Sequence, residues 1–305
     1  MLELIENLAL RKLFLTTAES WPEHRRFLEK SLASQRNSNM DGIGELAEQI
    51  EMLIGKKTDR FIRGYRWMCE AFIEEEIYFR RHDEYRCKSF NDAFNQVYSD
   101  TNKMALYMDG LLLSQVLWSA HTEGFLYFSE TFLPRLIDGY HILEIGCGHG
   151  LLLNQAALDT RCAKAEGWDV SVESLRHASE TLSHFGGINK VTLRETNLFA
   201  PGIDITFDAL VLSELLEHLE DPKGALTTLR KHLTPKSLVY INIPVNSPAP
   251  DHISLWRSFE EVSTFVSSCG YQVIDSSEAA MSGYSLKRAK ELGASINCLI
   301  TARLS

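Results

Sequence analysis

The sequence predicts an α/β protein in two parts, an all-helical domain over residues 1–138 and a mostly parallel sheet covered by helices on both faces over residues 139–305. Before residue 139, apolar residues recur at helical spacing and no stretch alternates as a strand would. From residue 139 onward, short apolar runs alternate with amphipathic segments, which predicts parallel strands joined by helices. A length of 305 residues also favours two domains over one.

The composition narrows the class of protein. A formal net charge of −10 disfavours nucleic acid as a partner, because binding a phosphate backbone requires clustered Lys and Arg. The six cysteines are scattered without a C-x-x-C pair, which predicts reduced thiols and no metal site. Glu3 and Glu6 stand where a signal peptide would carry basic residues, and no run is long and apolar enough to span a membrane. We therefore expect a cytoplasmic protein without a membrane partner.

The amino-terminal domain is predicted as a series of helices. The first predicted helix is amphipathic, and its apolar residues are Leu2, Ile5, Leu8, Leu13 and Leu15. Further helices are predicted over residues 22–32, 43–53 and 59–79, with a loop at 35–42 and a short helix after Ser89 that carries Phe94 and Val97.

One helical stretch, residues 104–136, suggests a pocket wall. Steps of three or four residues would place five side chains on one face if the helix continues through His121: Tyr107, Leu111, Ser114, Trp118 and His121. A face that mixes phenol, hydroxyl, indole and imidazole suits a binding pocket, although a core helix with satisfied polar groups is an equal alternative.

The stretch YHILEIGCGHGLLL, residues 140–153, predicts a buried strand, a glycine turn and the start of a helix. Three alternate glycines let the backbone approach a flat ligand closely. The third glycine falls at Gly150 rather than at position 151, which is one residue short of the dinucleotide fingerprint. Glu144 beside the turn would also repel a pyrophosphate, so a dehydrogenase is disfavoured.

The segment from Glu144 to Gly150 resembles the first motif of the class I S-adenosylmethionine-dependent methyltransferases. The resemblance implies a Rossmann-like sheet whose last strand is antiparallel, and a cofactor held at Glu144, Gly146, Cys147, Gly148 and Gly150. It also implies that the helices before the first strand form a lid over the substrate.

Two further loops are expected to hold the cofactor. Asp169, followed by Val170, ends the second strand nineteen positions beyond Gly150, near the interval at which an acid reaches a ribose in such folds. In the resembled family the loop after the third strand offers an acid to the adenine, and here Asn197 and Leu198 occupy that place. The amide oxygen of Asn197 can accept the same hydrogen bond, or the residue can serve as a plain turn residue.

The fourth strand ends in S-E-L-L-E-H-L-E-D-P, residues 213–222. This segment resembles methyltransferases that act on ubiquinone and menaquinone precursors and on other small metabolites, and it places Ser213 and Glu214 at the ligand-binding edge of the sheet. His218 is a candidate base, although a structural role in holding the loop is the more frequent one for such a histidine. After the fifth strand, the loop from Asn246 to His252 offers a second candidate base in His252.

The resemblance implies direct displacement of a methyl group from a sulfonium, without a metal. An alcohol or phenol acceptor would need a base, for which His252, His218, His121 and Tyr107 are the candidates. Five residues are expected to contact the acceptor: Tyr107, Ser114, Trp118, His121 and Asn246.

The polar and aromatic lid favours a small polar acceptor, such as an amino acid or a natural-product intermediate, and a thioether such as methionine is one case. The alternatives are O- or C-methylation of a quinone-like or aromatic precursor, and a cofactor-binding partner subunit without catalysis. A homodimer through the amino-terminal helices is a further expectation.

Overall fold

A computed structural model describes residues 2–35, 38–93, 97 and 100–305, so the predicted position of Phe94 lies outside the described residues. The helices of the first part are α1 (Leu8–Ser20), α2 (Arg25–Gln35), α3 (Met40–Ile54), α4 (Thr58–His82), α5 (Phe90–Ala93), α6 (Thr101–Leu117) and α7 (Ser119–Leu126), followed by a π-helical segment, Tyr127–Phe132. The second part contains β1 (Tyr140–Ile145), α8 (Leu151–Leu158), β2 (Cys162–Asp169), α9 (Val172–Phe185), β3 (Val191–Glu195), β4 (Phe207–Ser213), α10 (Pro222–Leu229), β5 (Leu233–Val245), α11 (Phe259–Ser268), β6 (Tyr271–Ala280), α12 (Leu286–Leu292) and β7 (Ile296–Leu304).

The sheet has the predicted architecture. Its strand order is β3-β2-β1-β4-β5-β7-β6. The first five strands in that order are parallel, and β7 runs antiparallel to both β5 and β6. The α/β fold class with an antiparallel last strand is therefore confirmed, and the carboxyl ends of β1, β2, β4 and β5 meet along one edge.

Several element boundaries differ from the prediction. The loop predicted over residues 35–42 is shorter, because the Asn39 side chain accepts hydrogen bonds from the backbone N–H groups of Asp41 and Gly42 and starts α3 at Met40. Strand β5 begins at Leu233, and β6 extends to Ala280. The segment over 281–293, which has no clear sequence pattern, contains helix α12.

The condition that one helix continues through His121 is not met. Trp118 has an extended backbone (φ −111°, ψ 118°) that separates α6 from α7. Side chains bind the carbonyl oxygens that the break releases: Ser31 donates to Leu117 at 2.7 Å, and Gln35 donates to Val116 at 3.1 Å. These bonds replace the helical ones, so the break leaves those buried carbonyls satisfied.

The helical part packs on the sheet through a shared core. A single cluster of buried apolar side chains extends from Leu2 and Leu10 at the amino terminus to Tyr240 on β5 and Leu299 on β7. Polar contacts reinforce this junction, since the Tyr240 hydroxyl donates to the Gly124 carbonyl at 3.0 Å. The helices α4, α6 and α7 consequently lie over the carboxyl edge of the sheet. No helix among the described residues is long and apolar enough to cross a membrane.

Candidate active site

A cavity of about 1680 Å³ lies between the helical part and the carboxyl edge of the sheet. Ligand pockets of drug-sized molecules are usually about 300–1,000 Å³, so this cavity has room for a cofactor and a second molecule. The ends of β1, β2, β4 and β5 form its floor, and side chains of α4, α6 and α7 form its roof.

The glycine turn at the end of β1 forms one end of the cavity. Gly146, Gly148 and Gly150 have positive φ angles of 71°, 48° and 75°. Gly146 and Gly148 face the cavity, and a Cβ built on Gly148 would meet no atom closer than 4.0 Å. Gly150 has another function, because a Cβ there would lie 2.7 Å from the Cα of Ala178. The third glycine therefore packs the turn against α9, and it is not part of the cavity wall.

Two carboxyl groups flank this turn. Glu144 is 4% exposed, and its Oε2 has no hydrogen-bond partner in the described part of the chain. Asp169 accepts a hydrogen bond from the Ser171 backbone N–H at 2.8 Å. Burial raises the pKa of both carboxyl groups, and the Asp169 charge adds to the shift at Glu144. An unpartnered buried acceptor and a second carboxyl group beside an open backbone fit a ligand that offers hydroxyl or ammonium donors.

The remaining predicted cofactor residues surround the same end of the cavity. Cys147 is buried behind the turn, Val170 is 56% exposed at the rim, and Leu198 is buried beneath the loop after β3. The Oδ1 atom of Asn197 accepts a hydrogen bond from the Phe199 backbone N–H at 2.9 Å. This contact forms an Asx turn, which is the turn role considered for Asn197 in the sequence analysis. The second lone pair of the oxygen stays available for a ligand.

The loops after β4 and β5 carry a cluster of acids and imidazoles, all but Glu217 lining the cavity, which we call the Glu-His cluster: Glu214, Glu217, His218, Asp251 and His252. Glu217 and Asp251 are each 0% exposed. The Nδ1 atom of His218 lies 3.2 Å from the Asp251 carbonyl oxygen and 3.3 Å from its carboxylate. The rings of His218 and His252 are in edge-to-face contact, with centroids 4.7 Å apart.

The Glu-His cluster is electrostatically unusual. Glu214 has a positive φ of 50°, which is rare for a residue with a side chain, and Asn297 donates to its carboxylate at 2.7 Å. Burial raises the pKa of Glu214 to about 7. Burial and the Glu214 charge raise the pKa of Glu217 well above its ordinary value. Burial lowers the pKa of His252 to about 3, so this imidazole is neutral at physiological pH.

Three residues of the cluster could hold a metal ion. One ligand atom from each of Glu217, His218 and His252 lies within 4.8 Å of the others. The sequence predicted no metal, because Glu217 and His218 alone do not have the spacing of a metal-binding motif. Only the folded chain brings His252, on the loop after β5, beside them.

The roof of the cavity is aromatic. Tyr107, Trp118 and His121 line it, together with Phe72 of α4, whose ring contacts that of Trp118 at 5.5 Å. The Tyr107 hydroxyl donates to the Asp251 carboxylate at 3.2 Å, and burial raises the pKa of Tyr107 well above 10. Tyr107 therefore serves as a hydrogen-bond donor, not as a base.

His121 has a defined tautomer. Its Nδ1 lies 2.9 Å from the Ser114 hydroxyl, which itself donates to the Leu111 carbonyl, so the Nδ1–H donates to Ser114. Burial lowers the pKa of His121 to about 4, which leaves a neutral ring facing the cavity.

Two predicted acceptor residues lie outside the cavity wall. Ser114 is fully buried behind His121. Asn246 has a φ of 48°, and its amide donates to the Arg257 carbonyl at 3.1 Å. Ser114 holds the wall residue His121 in place, whereas Asn246 bonds to Arg257, which does not line the cavity.

Sequence reasoning missed three residues that shape the site: Glu217, Asp251 and Tyr85. Glu217 stands inside the S-E-L-L-E-H segment and Asp251 directly precedes His252, so both were within recognised loops. Tyr85 accepts a hydrogen bond from the Ser247 backbone N–H at 2.9 Å, and thereby ties the loop after β5 to the helical part. Only the tertiary structure reveals this contact, since 162 positions separate the two residues.

Comparison with known proteins gives the site a context. Residues 143–239 match the family model of a methyltransferase domain. The ubiquinone biosynthesis O-methyltransferase of Pasteurella multocida is 30% identical over 116 residues, which cover 35% of this chain and 47% of that protein. An O-methyltransferase of Pyrenophora dematioidea is 30% identical over 139 residues, covering 44% of this chain and 51% of that protein. The chain thus spans about half the length of the curated relatives it matches.

A solved structure matches most of the fold. The mitomycin 7-O-methyltransferase MmcR superposes with a TM-score of 0.56 over 83% of this chain and 72% of that chain, at 13% identity. At that identity the similarity concerns the fold alone, and it includes much of the amino-terminal helical part as well as the sheet.

Proposed function

We propose that this chain, which belongs to the class I S-adenosylmethionine-dependent methyltransferases, transfers the methyl group to a hydroxyl oxygen of a ring-bearing acceptor. The observation that carries the proposal is the placement of the Glu-His cluster and an aromatic roof in the same cavity as the glycine turn.

The residues at the glycine turn are suited to this cofactor. S-adenosylmethionine, when bound, supplies a methyl group made electrophilic by a sulfonium. Asp169 would hold its ribose hydroxyls, and Glu144 would face its positively charged end. Gly148 leaves the backbone open to the cavity, which helices α4, α6 and α7 cover.

The Glu-His cluster supports binding of the acceptor hydroxyl beside it. A hydroxyl oxygen must lose its proton as the new bond to carbon forms. Carboxylates and imidazoles beside that oxygen can accept the proton. Displacement then breaks the bond from sulfur to carbon, whose electron pair returns to sulfur. The proton leaves by way of the cluster to solvent, and no covalent enzyme intermediate is needed.

The roof favours a ring over a small polar acceptor. Phe72, Tyr107 and Trp118 present aromatic faces and edges, which pack well on a flat ring. The cavity is also larger than an amino acid would fill beside the cofactor. Because of these two features we prefer a ring-bearing acceptor, whereas the sequence alone favoured a small polar acceptor such as methionine. The relatives named as ubiquinone O-methyltransferases support the same choice.

The test is methyl transfer to a panel of acceptors, followed by mass spectrometry. We expect the purified chain to methylate catechols or hydroquinones with release of S-adenosylhomocysteine, and to leave methionine unchanged. His218→Ala should lower kcat by roughly 100-fold, the usual size of an acid–base contribution, without changing affinity for S-adenosylhomocysteine. The exposed His184→Ala variant is the matched control.

Two results would redirect the proposal. Transfer to methionine but to no phenol would identify a thioether S-methyltransferase. Tight cofactor binding with no transfer to any acceptor would favour a cofactor-binding partner subunit.

A further inference from the structure

We propose that an aromatic arm of the cavity binds a second ring of the methyl acceptor. The acceptor is then a phenol with two or more rings, whose distal ring carries a neutral polar group. Five residues of the helical part line the aromatic arm: His24, Phe27, Cys69, Phe72 and Trp118. The inference rests on the proposed function for the hydroxyl that is methylated, whereas the arm itself rests on contacts within the helical part.

The break between α6 and α7 places helix α2 beside the cavity. Ser31 and Gln35 of α2 donate hydrogen bonds to backbone carbonyls at the break, which fixes this helix there. Phe27 precedes Ser31 by four positions and Gln35 follows it by four, so the three residues lie on one face of α2. Because this face is turned towards the break, Phe27 and the preceding His24 reach the cavity.

Ring contacts make the wall of the arm aromatic along its length. The Trp118 ring centroid lies 4.9 Å from that of His121 and 5.5 Å from that of Phe72. Farther along, the rings of His24 and Phe27 are stacked with centroids 4.6 Å apart. Ring faces and edges of this kind pack well against another flat ring. The arm therefore favours an aromatic group over a flexible polar one.

A chain of hydrogen bonds fixes the polar atoms of the arm. The Trp118 indole N–H donates to the Tyr65 hydroxyl at 2.9 Å, and that hydroxyl lies 2.9 Å from the Nε2 atom of His24. Tyr65 is fully buried and does not line the cavity, so it holds both rings from behind. The other ring nitrogen of His24, Nδ1, has no partner among the described residues. It is available to a polar group on the distal ring of the acceptor.

The charges along the wall indicate that this polar group is neutral. Burial lowers the pKa of His24 to about 4, so its imidazole carries no charge at physiological pH. Arg80 is the one Lys or Arg among the described residues that line the cavity. Its guanidinium is already bound to the Glu76 carboxylate at 2.6 Å and to the Leu292 carbonyl at 2.8 Å. A carboxylate or phosphate in the arm would lack a counter-charge, whereas a hydroxyl would not need one.

The size of the cavity agrees with an acceptor of two rings. Its volume is about 1680 Å³, compared with about 300–1,000 Å³ for a usual ligand pocket. A cofactor that fills one such pocket leaves room for a second molecule of drug size, which is larger than a single ring.

Methyl transfer to matched acceptors tests the arm. Catechol and phenylcatechol share the reacting ring and differ in the distal one. We expect kcat/KM for phenylcatechol to exceed that for catechol at least tenfold in the wild type, because one buried methylene alone changes such a ratio by roughly 10-fold. Phe27→Trp fills the arm and should bring the ratio close to one. Ile77→Trp, at a 47% exposed position of α4 outside the cavity wall, is the matched control and should keep the wild-type ratio.

A second variant, His24→Phe, tests the polar atoms of the arm. We expect the wild type to prefer hydroxyphenylcatechol over phenylcatechol about fivefold, the size of one neutral hydrogen bond, and His24→Phe to lose that preference. Affinity for S-adenosylhomocysteine is the folding check for each variant, since Gly148 and Asp169 lie outside the arm.

The outcomes separate the arm from the proposed function. Equal kcat/KM for catechol and phenylcatechol in the wild type would overturn the arm and leave the proposed function intact. A wild-type preference that Phe27→Trp and His24→Phe both leave unchanged would also overturn the arm. Calorimetry on protein loaded with S-adenosylhomocysteine covers the case without turnover. Tighter binding of phenylcatechol than of catechol that Phe27→Trp abolishes, with transfer to neither, would overturn the proposed function and support the arm.

Discussion

At the scale of single residues, Asp169 shows how a buried side chain can be held for a ligand. The carboxylate accepts the Ser171 backbone N–H, yet it lines the cavity at the point where β2 ends. Asp169 lies at this edge because it is the last residue of a parallel strand, and ligands bind at the carboxyl ends of such strands.

Replacing Asp169 tests the cofactor end of the cavity. We expect Asp169→Ala to weaken binding of S-adenosylhomocysteine by about 2–3 kcal/mol, because two charge-assisted hydrogen bonds to the ligand are lost. Calorimetry measures this directly. Asp204→Ala removes an exposed carboxylate from the loop before β4 and should leave the affinity unchanged. Unchanged affinity in Asp169→Ala would remove that residue from the site.

His121 provides a test through pH. Burial lowers the pKa of this imidazole from 6.5 to about 4, so the native protein binds fewer protons than the unfolded chain in that window. Its contribution to the free energy of unfolding is therefore full above pH 6.5 and falls as the pH is lowered towards 4.

A His121→Gln variant lacks this titration. Denaturation at pH 7.5 and pH 5 should show that the stability difference between wild type and variant shrinks by about 2 kcal/mol at the lower pH. A difference for His121→Gln that is constant with pH would mean that the imidazole titrates normally in the folded protein.

Several residues that line the cavity near the glycine turn could be predicted from the sequence, because glycines and strand-end acids have local signatures. Gly146, Gly148 and Asp169 all line the cavity as expected. The Glu-His cluster was predicted only in part. Glu214, His218 and His252 were candidates from the sequence, whereas Glu217 and Asp251 are recognised only from their burial and their contacts in the structure. No local pattern reports that a glutamate lacks a hydrogen-bond partner.

At the scale of elements, the junction between the glycine turn and α9 explains why the third glycine is needed. Gly150 and Gly186 each lie beside a helix end with similar φ angles, 75° and 82°. They differ in their surroundings, since a Cβ at Gly186 would meet nothing within 4 Å.

Alanine at these two glycines separates backbone strain from packing. Gly186→Ala should lower the free energy of unfolding by about 1 kcal/mol, the cost of a left-handed conformation alone. Gly150→Ala should cost roughly 2 kcal/mol more, because the new methyl group would force α8 and α9 apart. Chemical denaturation monitored by tryptophan fluorescence gives both values. Equal losses would show that α9 can move away from the turn freely.

Prediction at this scale succeeded wherever apolar spacing was regular. It failed at Trp118, because the break between α6 and α7 is stabilised by Ser31 and Gln35, which are more than 80 positions away in the sequence. Although the helix is interrupted, four of the five residues of the predicted face line the cavity, and Ser114 lies behind His121. Tyr107, Trp118 and His121 all reach the cavity, two before or at the break and one after it.

At the scale of the whole molecule, two tyrosine side chains of the helical part bind the loop after β5 at the carboxyl edge of the sheet. Tyr107 of α6 donates to Asp251, and Tyr85 after α4 accepts from the Ser247 backbone. Both contacts end on the loop after β5, which also carries His252. The position of the roof and the geometry of the Glu-His cluster are therefore coupled.

The Tyr107 contact gives a test of that coupling. We expect Tyr107→Phe to raise the KM for the acceptor several-fold and to lower kcat, with unchanged affinity for S-adenosylhomocysteine, because Asp251 loses a donor that holds it beside His218. Steady-state kinetics and calorimetry report the two effects separately. Normal kinetics in this variant would mean that the roof and the cluster act independently.

The predicted dimer through the amino-terminal helices stays a prediction at this scale. Leu4 and Leu8 are 78% and 70% exposed in that region, so sedimentation of the wild type and of Leu8→Glu is the relevant comparison.

The measurement that tests the central claim most directly is calorimetry of the purified chain with S-adenosylhomocysteine and with NAD in parallel. We predict one site per chain for S-adenosylhomocysteine, weakened in Asp169→Ala, and no heat of binding with NAD. Binding of NAD alone would contradict the account, because the turn from Gly146 to Gly150 would then hold a pyrophosphate beside Glu144.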